Sequence, residues 1–307
     1  MITTVSLNPA IDKTVILNEV HLGEVHRILE VVQTIGGKGI NVSKVLRLFD
    51  VDNIATGILG VDNTEVFHHY FDKRGMKHDF VQANGTTRTN IKMIEKSHQR
   101  TTDLNEPGIV LTSNDISLFM EKIKNFSEQS EYIVLCGSVP QGVSDDIYAY
   151  IIGEIRGDAK IALDTSGERL KRGIEAGVHI IKPNMEELED AFDLKFSSND
   201  ECVEFCQTLI NKYPLETILL TFGADGAAII SEDNVVKSEP ISVQVKNTVG
   251  AGDSFLGGYL VGKARKLDDI DAFKIAVACG TAAVMQKGTD VFSMQEFDRM
   301  IDRVKTK

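Results

Sequence analysis

The chain has 307 residues, 42% of them hydrophobic, and a formal net charge of -12 with acidic and basic residues interspersed. That composition suits a protein with a large packed core and excludes a fibrous, collagen-like or disordered chain. A negative surface repels nucleic-acid phosphates, so general nucleic-acid binding is excluded, and recognition of any phosphate requires a few cations gathered locally.

The opening MITTVSLNP lacks a charged stretch followed by an apolar one and reads as a first strand, not a signal peptide. No apolar run reaches the ~18 residues that suggest a membrane span. Further along, β-rich runs predict strands at residues 3–7, 54–59, 132–136, 161–164, 179–182, 217–221 and 227–231. Between them, apolar residues at three- and four-residue spacing predict helices at 42–49, 115–126, 186–192, 200–211 and 268–285. Several strands are continuous apolar runs, as expected of strands covered on both faces. Strand–helix alternation of this kind means a mainly parallel sheet between helical layers, with the ligand site beyond the carboxyl ends of the strands.

Residues 14–33 and 87–102 break the rhythm by alternating apolar and polar residues in short pieces. They read as antiparallel strands outside the main sheet, a lid able to exclude water from a site below. No linker composition separates them, so residues 1–307 are expected to form one domain with lid strands from about 12–34 and 87–102. An exposed accessory sheet also favours pairing between subunits, so a homodimer through the lid is expected.

Cys136, Cys202, Cys206 and Cys279 form no CxxC pair and have no histidine at zinc-finger spacing. They are expected to be reduced thiols of a cytoplasmic protein, with Cys202 and Cys206 on one helix face. The histidines show no ligand constellation, and His68-His69 is expected at the surface of a helix.

Two segments carry chemistry. Asn247-Thr248-Val249-Gly250-Ala251-Gly252-Asp253-Ser254-Phe255 places a glycine turn at the start of a helix. Such a turn leaves backbone N–H groups free where the helix dipole is positive, and this suits charge building on a transferring phosphoryl group. Asp253 in the first helical turn could accept a proton from an attacking hydroxyl, although a plain helix start with an acidic first turn gives the same pattern. Gly36-Gly37-Lys38-Gly39-Ile40-Asn41 lets a backbone approach a ligand closely and offers a cation and an amide before a helix. A glycine turn capping that helix is the alternative. GGYLVGKA at residues 257–264 only mimics a P-loop, because Ala264 lacks the hydroxyl for Mg²⁺ and no strand precedes it; its glycines are expected to serve helix packing.

Residues 36–60 and 247–255 together resemble the two signatures of the PfkB, ribokinase-like family of carbohydrate kinases, in the expected order along essentially the whole chain. The opening Leu7-Asn8-Pro9-Ala10-Ile11-Asp12 is similar to that of the sugar-phosphate branch. Thr87-Arg88-Thr89-Asn90-Ile91-Lys92 and Thr102-Asp103-Leu104-Asn105 are most similar to kinases of fructose 1-phosphate. The resemblance implies an α/β, ribokinase-like three-layer sandwich with a small β-sheet lid. It implies ATP-dependent phosphorylation of D-fructose 1-phosphate at O6, with tagatose 6-phosphate as the alternative substrate and a non-catalytic sugar-phosphate binder as a third reading.

The same resemblance implies roles. Asp253 is the base, with Gly250, Ala251 and Gly252 as the anion hole. Asp12, Gly37 and Asn41 bind the sugar, and Ser138 contacts substrate. Arg88, Lys38 and Arg27 grip the phosphate already present, a task that suits the bidentate fork of arginine. Asn184, Thr221, Gly223, Gly226 and Gly252 are expected at ATP, with Asn184 and Glu187 near Mg²⁺ through water. Asn184 and Glu187 also match a helix cap, and both roles can coexist. Asn247 stands where ribokinase-like members often carry Asp at a position tied to monovalent cations, which puts potassium activation in doubt.

Overall fold

In the computed structural model, which describes residues 1–98, 100–286 and 290–307, the strand–helix alternation becomes a nine-stranded sheet among these residues. Its strands are β1 (Ile2–Ser6), β4 (Asn53–Gly60), β5 (His78–Ala83), β8 (Tyr132–Cys136), β9 (Lys160–Asp164), β10 (Ile180–Ile181), β11 (Thr217–Thr221), β12 (Ala227–Ile230) and β13 (Val235–Lys237). The order is β13-β12-β11-β10-β9-β8-β1-β4-β5, with neighbours parallel from β11 to β5 and antiparallel at β11–β12 and β12–β13. All seven expected strands are present. The sequence reading missed β5 and β13, which are too polar to stand out as apolar runs.

The helices are α1 (Lys38–Leu48), α2 (Thr64–Arg74), α3 (Ser113–Ser127), α4 (Ile147–Glu154), α5 (Glu168–Glu175), α6 (Met185–Phe192), α7 (Asn199–Lys212), α8 (Ala251–Ala264), α9 (Asp269–Val284) and α10 (Met294–Ile301). They make the outer layers. Strand β8 shows why its sequence is apolar throughout. Ile133 and Leu135 join the core under α3–α7, while Tyr132, Val134 and Cys136 join the opposite core under α1, α8, α9 and α10. Helix α8 lies close to its neighbours because a Cβ on Gly257, Gly258 or Gly262 would sit 2.8 Å from Val45, 2.8 Å from Cys279 or 2.5 Å from Ala272. These glycines therefore serve packing, as expected.

Strands β2 (Ala10–Leu17), β3 (Glu30–Gly36), β6 (Thr89–Glu95) and β7 (Arg100–Asn105) form a second sheet ordered β3-β2-β6-β7. The expected antiparallel pairing holds for β2–β3 and β6–β7 but fails at the centre, where β2 and β6 run parallel. Each hairpin is a separate excursion from the main sheet, one after β1 and one after β5. Those two strands share a direction, so the lid strands that follow them do too. Phe67 and Phe71 of α2 pack with Ile11, Ile35, Leu59 and Phe80 and seat the lid on the sheet.

All four cysteines are free and buried. His69 is exposed as expected, but His68 is half-buried with Nδ1 2.8 Å from Nε2 of His78, because α2 turns it toward β5. No helix among the described residues is long and apolar enough to cross a membrane.

Candidate active site

The carboxyl ends of β1, β8, β9, β10 and β11, roofed by the lid, enclose a cavity of about 560 Å³. Asp12, Gly37, Lys38, Asn41, Arg88, Ser138, Asn184, Glu187, Thr221, Gly250, Gly252 and Asp253 all line it. Parallel strands place their carboxyl ends, and the loops that follow, on one edge of the sheet, so residues distant in sequence converge there.

At the lid end, Asp12 on β2 accepts a hydrogen bond of 3.1 Å from Nδ2 of Asn90 on β6, and the buried Oδ1 of Asn90 has no protein partner. Arg88 enters just before β6. Its guanidinium donates to the carbonyls of Asn8 (3.0 Å) and Glu106 (3.3 Å) and reaches Ser138 Oγ at 3.5 Å. Its buried Nε has no partner, and no carboxylate among the described residues forms an ion pair with it. Burial pulls the Arg88 guanidinium below its ordinary pKa, against the pull of Asp12 and Glu106, yet an arginine stays charged. The result is a half-buried, incompletely satisfied cation facing the cavity.

At the centre, Gly250 adopts φ +82°, a left-handed conformation that suits glycine, and starts α8. The N–H of Ala251 turns back to the Thr248 carbonyl at 3.3 Å, and Ala251 does not line the cavity. The amides of Gly250, Gly252 and Asp253 find no protein acceptor among the described residues, so of the expected hole of 250–252 only the Ala251 amide is turned away, and Asp253 adds a further open donor. Asp253 is 6% exposed, and its Oδ2 accepts a 2.8 Å hydrogen bond from Asn41 Nδ2. Burial raises its pKa first, and nearby Asp164 adds to this. Lys38, the Asn41 hydrogen bond and Lys182 oppose, and the balance stands at about 6.

Lys38 does not stand free for a phosphate. Its Nζ is 2.8 Å from Asp164 Oδ1 and 3.7 Å from Glu187 Oε1. Burial alone would lower the Lys38 pKa, but Asp164, Asp253 and Glu187 outweigh it and hold the ammonium well above the ordinary lysine range. Lys182 lies 3.4 Å from the same Asp164 oxygen. Asp164, fully buried, pays for its burial through these two cations, which keep it below the usual carboxylate range.

At the far end, Asn184 caps α6. Its Oδ1 accepts from Glu187 N at 2.7 Å and Glu187 Oε2 accepts from Asn184 N at 2.9 Å, a reciprocal capping box. Thr221 closes β11 beside them. Gly223 and Gly226, in the following turn, do not line the cavity. Gly226 (φ +100°) is there for a different reason, since a Cβ would come 2.8 Å from the Ser238 carbonyl. Arg27 is exposed on the connection between β2 and β3, outside the cavity, because that connection extends from the lid's outer end.

The sequence reading missed Asp164, Lys182, Asn8 and Asn90. Asp164 and Lys182 were legible in principle: each is a charged residue directly closing an apolar run at the carboxyl end of a buried parallel strand. Among the described residues no group of three or more acidic, histidine or cysteine side chains could hold a metal. Glu187, the cavity-lining carboxylate at the Asn184 end, fits Mg²⁺ that keeps most of its water and takes further oxygens from nucleotide phosphates.

Fold and site together describe a sugar kinase: an α/β sheet, a β-sheet lid, and a buried carboxylate at a helix start between them. The chain belongs to the pfkB family of carbohydrate kinases, whose family model matches residues 5–296. It is 34% identical to a 1-phosphofructokinase of Borreliella burgdorferi, over 99% of this chain and 98% of that one. It is 32% identical to a 1-phosphofructokinase of Vibrio cholerae, over 99% and 95% respectively. Phosphofructokinase-2 of Escherichia coli, solved in complex with potassium, superposes with a TM-score of 0.92 at 23% identity, covering 98% of both chains.

Proposed function

We propose that this protein transfers the γ-phosphoryl group of ATP to O6 of D-fructose 1-phosphate, giving fructose 1,6-bisphosphate. The observation that carries this reading is Asp253: a buried carboxylate with pKa of about 6, held by Asn41 beside the open amides of an α-helix start, on a cavity with a cation at the lid end. A base poised near neutrality suits removal of a hydroxyl proton. The full-length relatives named 1-phosphofructokinase support fructose 1-phosphate over tagatose 6-phosphate. A non-catalytic binder needs no such carboxylate.

In the reaction, Asp253 accepts the proton of the O6 hydroxyl as that oxygen bonds to the γ-phosphorus. The bond from phosphorus to the bridging oxygen of ADP breaks, its electron pair leaving with ADP. The amides of Gly252 and Asp253 face the developing charge, and Lys182 and Lys38 add positive potential from below. Asp12, Asn41 and Asn90 orient the sugar, and Arg88 with Ser138 holds its 1-phosphate. Asn184, Glu187 and Thr221 border the nucleotide, where Mg²⁺ held through Glu187 would neutralise phosphate charge. The lid excludes water.

Cytoplasmic placement fits four free, buried thiols. The lid leaves Leu22 and Val25 almost fully exposed and Ile28, Leu29 and Val31 about half so, an apolar face that a second copy would cover. Sedimentation of the wild type beside a Leu22→Asp/Val25→Asp variant tests that dimer.

The substrate test is ADP release with fructose 1-phosphate, tagatose 6-phosphate and fructose 6-phosphate side by side. Highest kcat/KM for fructose 1-phosphate is expected. Preference for a 6-phosphate would overturn the placement of the phosphate at Arg88, and turnover of none would overturn the kinase reading of these sugars.

A further inference from the structure

Lys44 is a buried cation that the reaction described above does not use. It sits on α1, one turn beyond Asn41, and is 3% exposed. Its Nζ donates to the Ile35 carbonyl at 2.6 Å and to Asn41 Oδ1 at 3.0 Å, with the Tyr70 ring centroid 5.4 Å away. Asn41 spends its Nδ2 on Asp253 at 2.8 Å. Lys44 and Gly250 also border one narrow cleft beneath the glycine turn, together with Ser254 and Asp290.

A side-chain amide can turn either way round, and the two orientations have opposite consequences for Asp253. With Nδ2 toward it, the carboxylate gains a donor; with Oδ1 toward it, two acceptors face each other. An ammonium has donors only, so it selects the first orientation. We infer that Lys44 is a positioning residue of this active site: bonded to Asn41 Oδ1, its ammonium locks the amide so that Asn41 holds Asp253 by one oxygen and leaves the other for the acceptor hydroxyl.

The lock has a pH limit. Burial lowers the Lys44 pKa, while Asp290, Asp12 and Asp253 raise it and Arg74 lowers it; the balance is about 8. Tyr70 faces the ammonium through its ring. Above that pH a neutral amine no longer enforces the amide orientation, and turnover declines.

The inference rests on the kinase reading, so the test has one arm that needs no turnover. Wild type, Lys44→Met and Lys44→Arg are compared for kcat and KM from pH 5 to 10, using the sugar phosphate the wild type turns over best. Lys44→Met is expected to lower kcat roughly 10- to 100-fold with KM for ATP nearly unchanged. Lys44→Arg, whose guanidinium does not titrate in this range, is expected to retain most activity and lose the alkaline decline near pH 8. In parallel, the Asn41 side-chain amide signal is followed by NMR. In wild type it should titrate near pH 6 with Asp253 and again near pH 8 with Lys44, and Lys44→Arg should lose only the second step. An Asn41 titration identical in wild type and Lys44→Arg overturns the inference whether or not any sugar is phosphorylated. Failure of turnover with the two-step titration intact overturns the substrate reading and leaves the lock standing. Should Lys44→Met not fold, the arginine variant decides alone.

Discussion

Asn41 and Asp253 lie 212 positions apart and meet in a buried hydrogen bond of 2.8 Å. One stands in the first turns of α1 and the other in the first turn of α8, and those helices pack side by side on one face of the sheet. The bond joins the two glycine-led segments into a single site. It also opposes the burial that raises the Asp253 carboxyl, so the base settles near neutrality and not far above it.

Asp253→Asn removes the proton acceptor and keeps the shape. The expected outcome is a fall in kcat of about 10²- to 10⁴-fold with ATP binding, measured by calorimetry, within a few-fold of wild type. Equal loss of both would count against the base. In the wild type, kcat/KM should fall about tenfold per pH unit below pH 6, because the acid form cannot accept a proton.

The same substitution should stabilise the fold. Raising a carboxyl from 3.8 to about 6 means that the fold prefers its acid form. That preference is fully favourable below about pH 4 and is lost as pH rises through 6. At pH 7 the ionised group therefore costs up to about 3 kcal/mol. Asp253→Asn is expected to raise Tm at pH 7.5, with the difference shrinking toward pH 4.

Asp164 works in the opposite sense. Its depressed pKa means that its stabilising contribution is present above the unfolded value near 3.9 and lost on acidification below it. Asp164→Asn leaves Lys38 and Lys182 without their shared partner and should cost about 3–5 kcal/mol in urea unfolding at pH 7. Because Asp164 also pushes the Asp253 carboxyl up, surviving activity should show its acid limb at lower pH than wild type. An unchanged limb would show that Asp164 does not tune the base.

Arg88→Lys keeps the charge and loses the fork. KM for the sugar phosphate is expected to rise by about tenfold or more, with KM for ATP unchanged. An effect on ATP alone would place Arg88 on the nucleotide instead of the sugar phosphate.

The sequence alone determined the α/β class, the seven apolar strands and the two glycine-led helix starts. These depend on local signals: continuous apolar runs, helical spacing, and glycine before a helix. It also pointed to Asp253, because an acid in the first turn after a glycine turn can be read from neighbours in the chain. Only the tertiary structure decided what surrounds that acid. The ion triad of Lys38, Asp164 and Lys182, the open amides at 252 and 253, the Asn41 bond and the parallel β2–β6 pairing join residues from different strand ends. Neither their distances nor the burial that shifts their charges is written in any one stretch of sequence. Lys38 shows the difference: its sequence motif promised a free cation, and the fold supplied it with Asp164. Arg88 was read from sequence as a phosphate grip, and in the folded chain it keeps a buried, unpartnered Nε at the cavity while its other nitrogens are held by the Asn8 and Glu106 carbonyls.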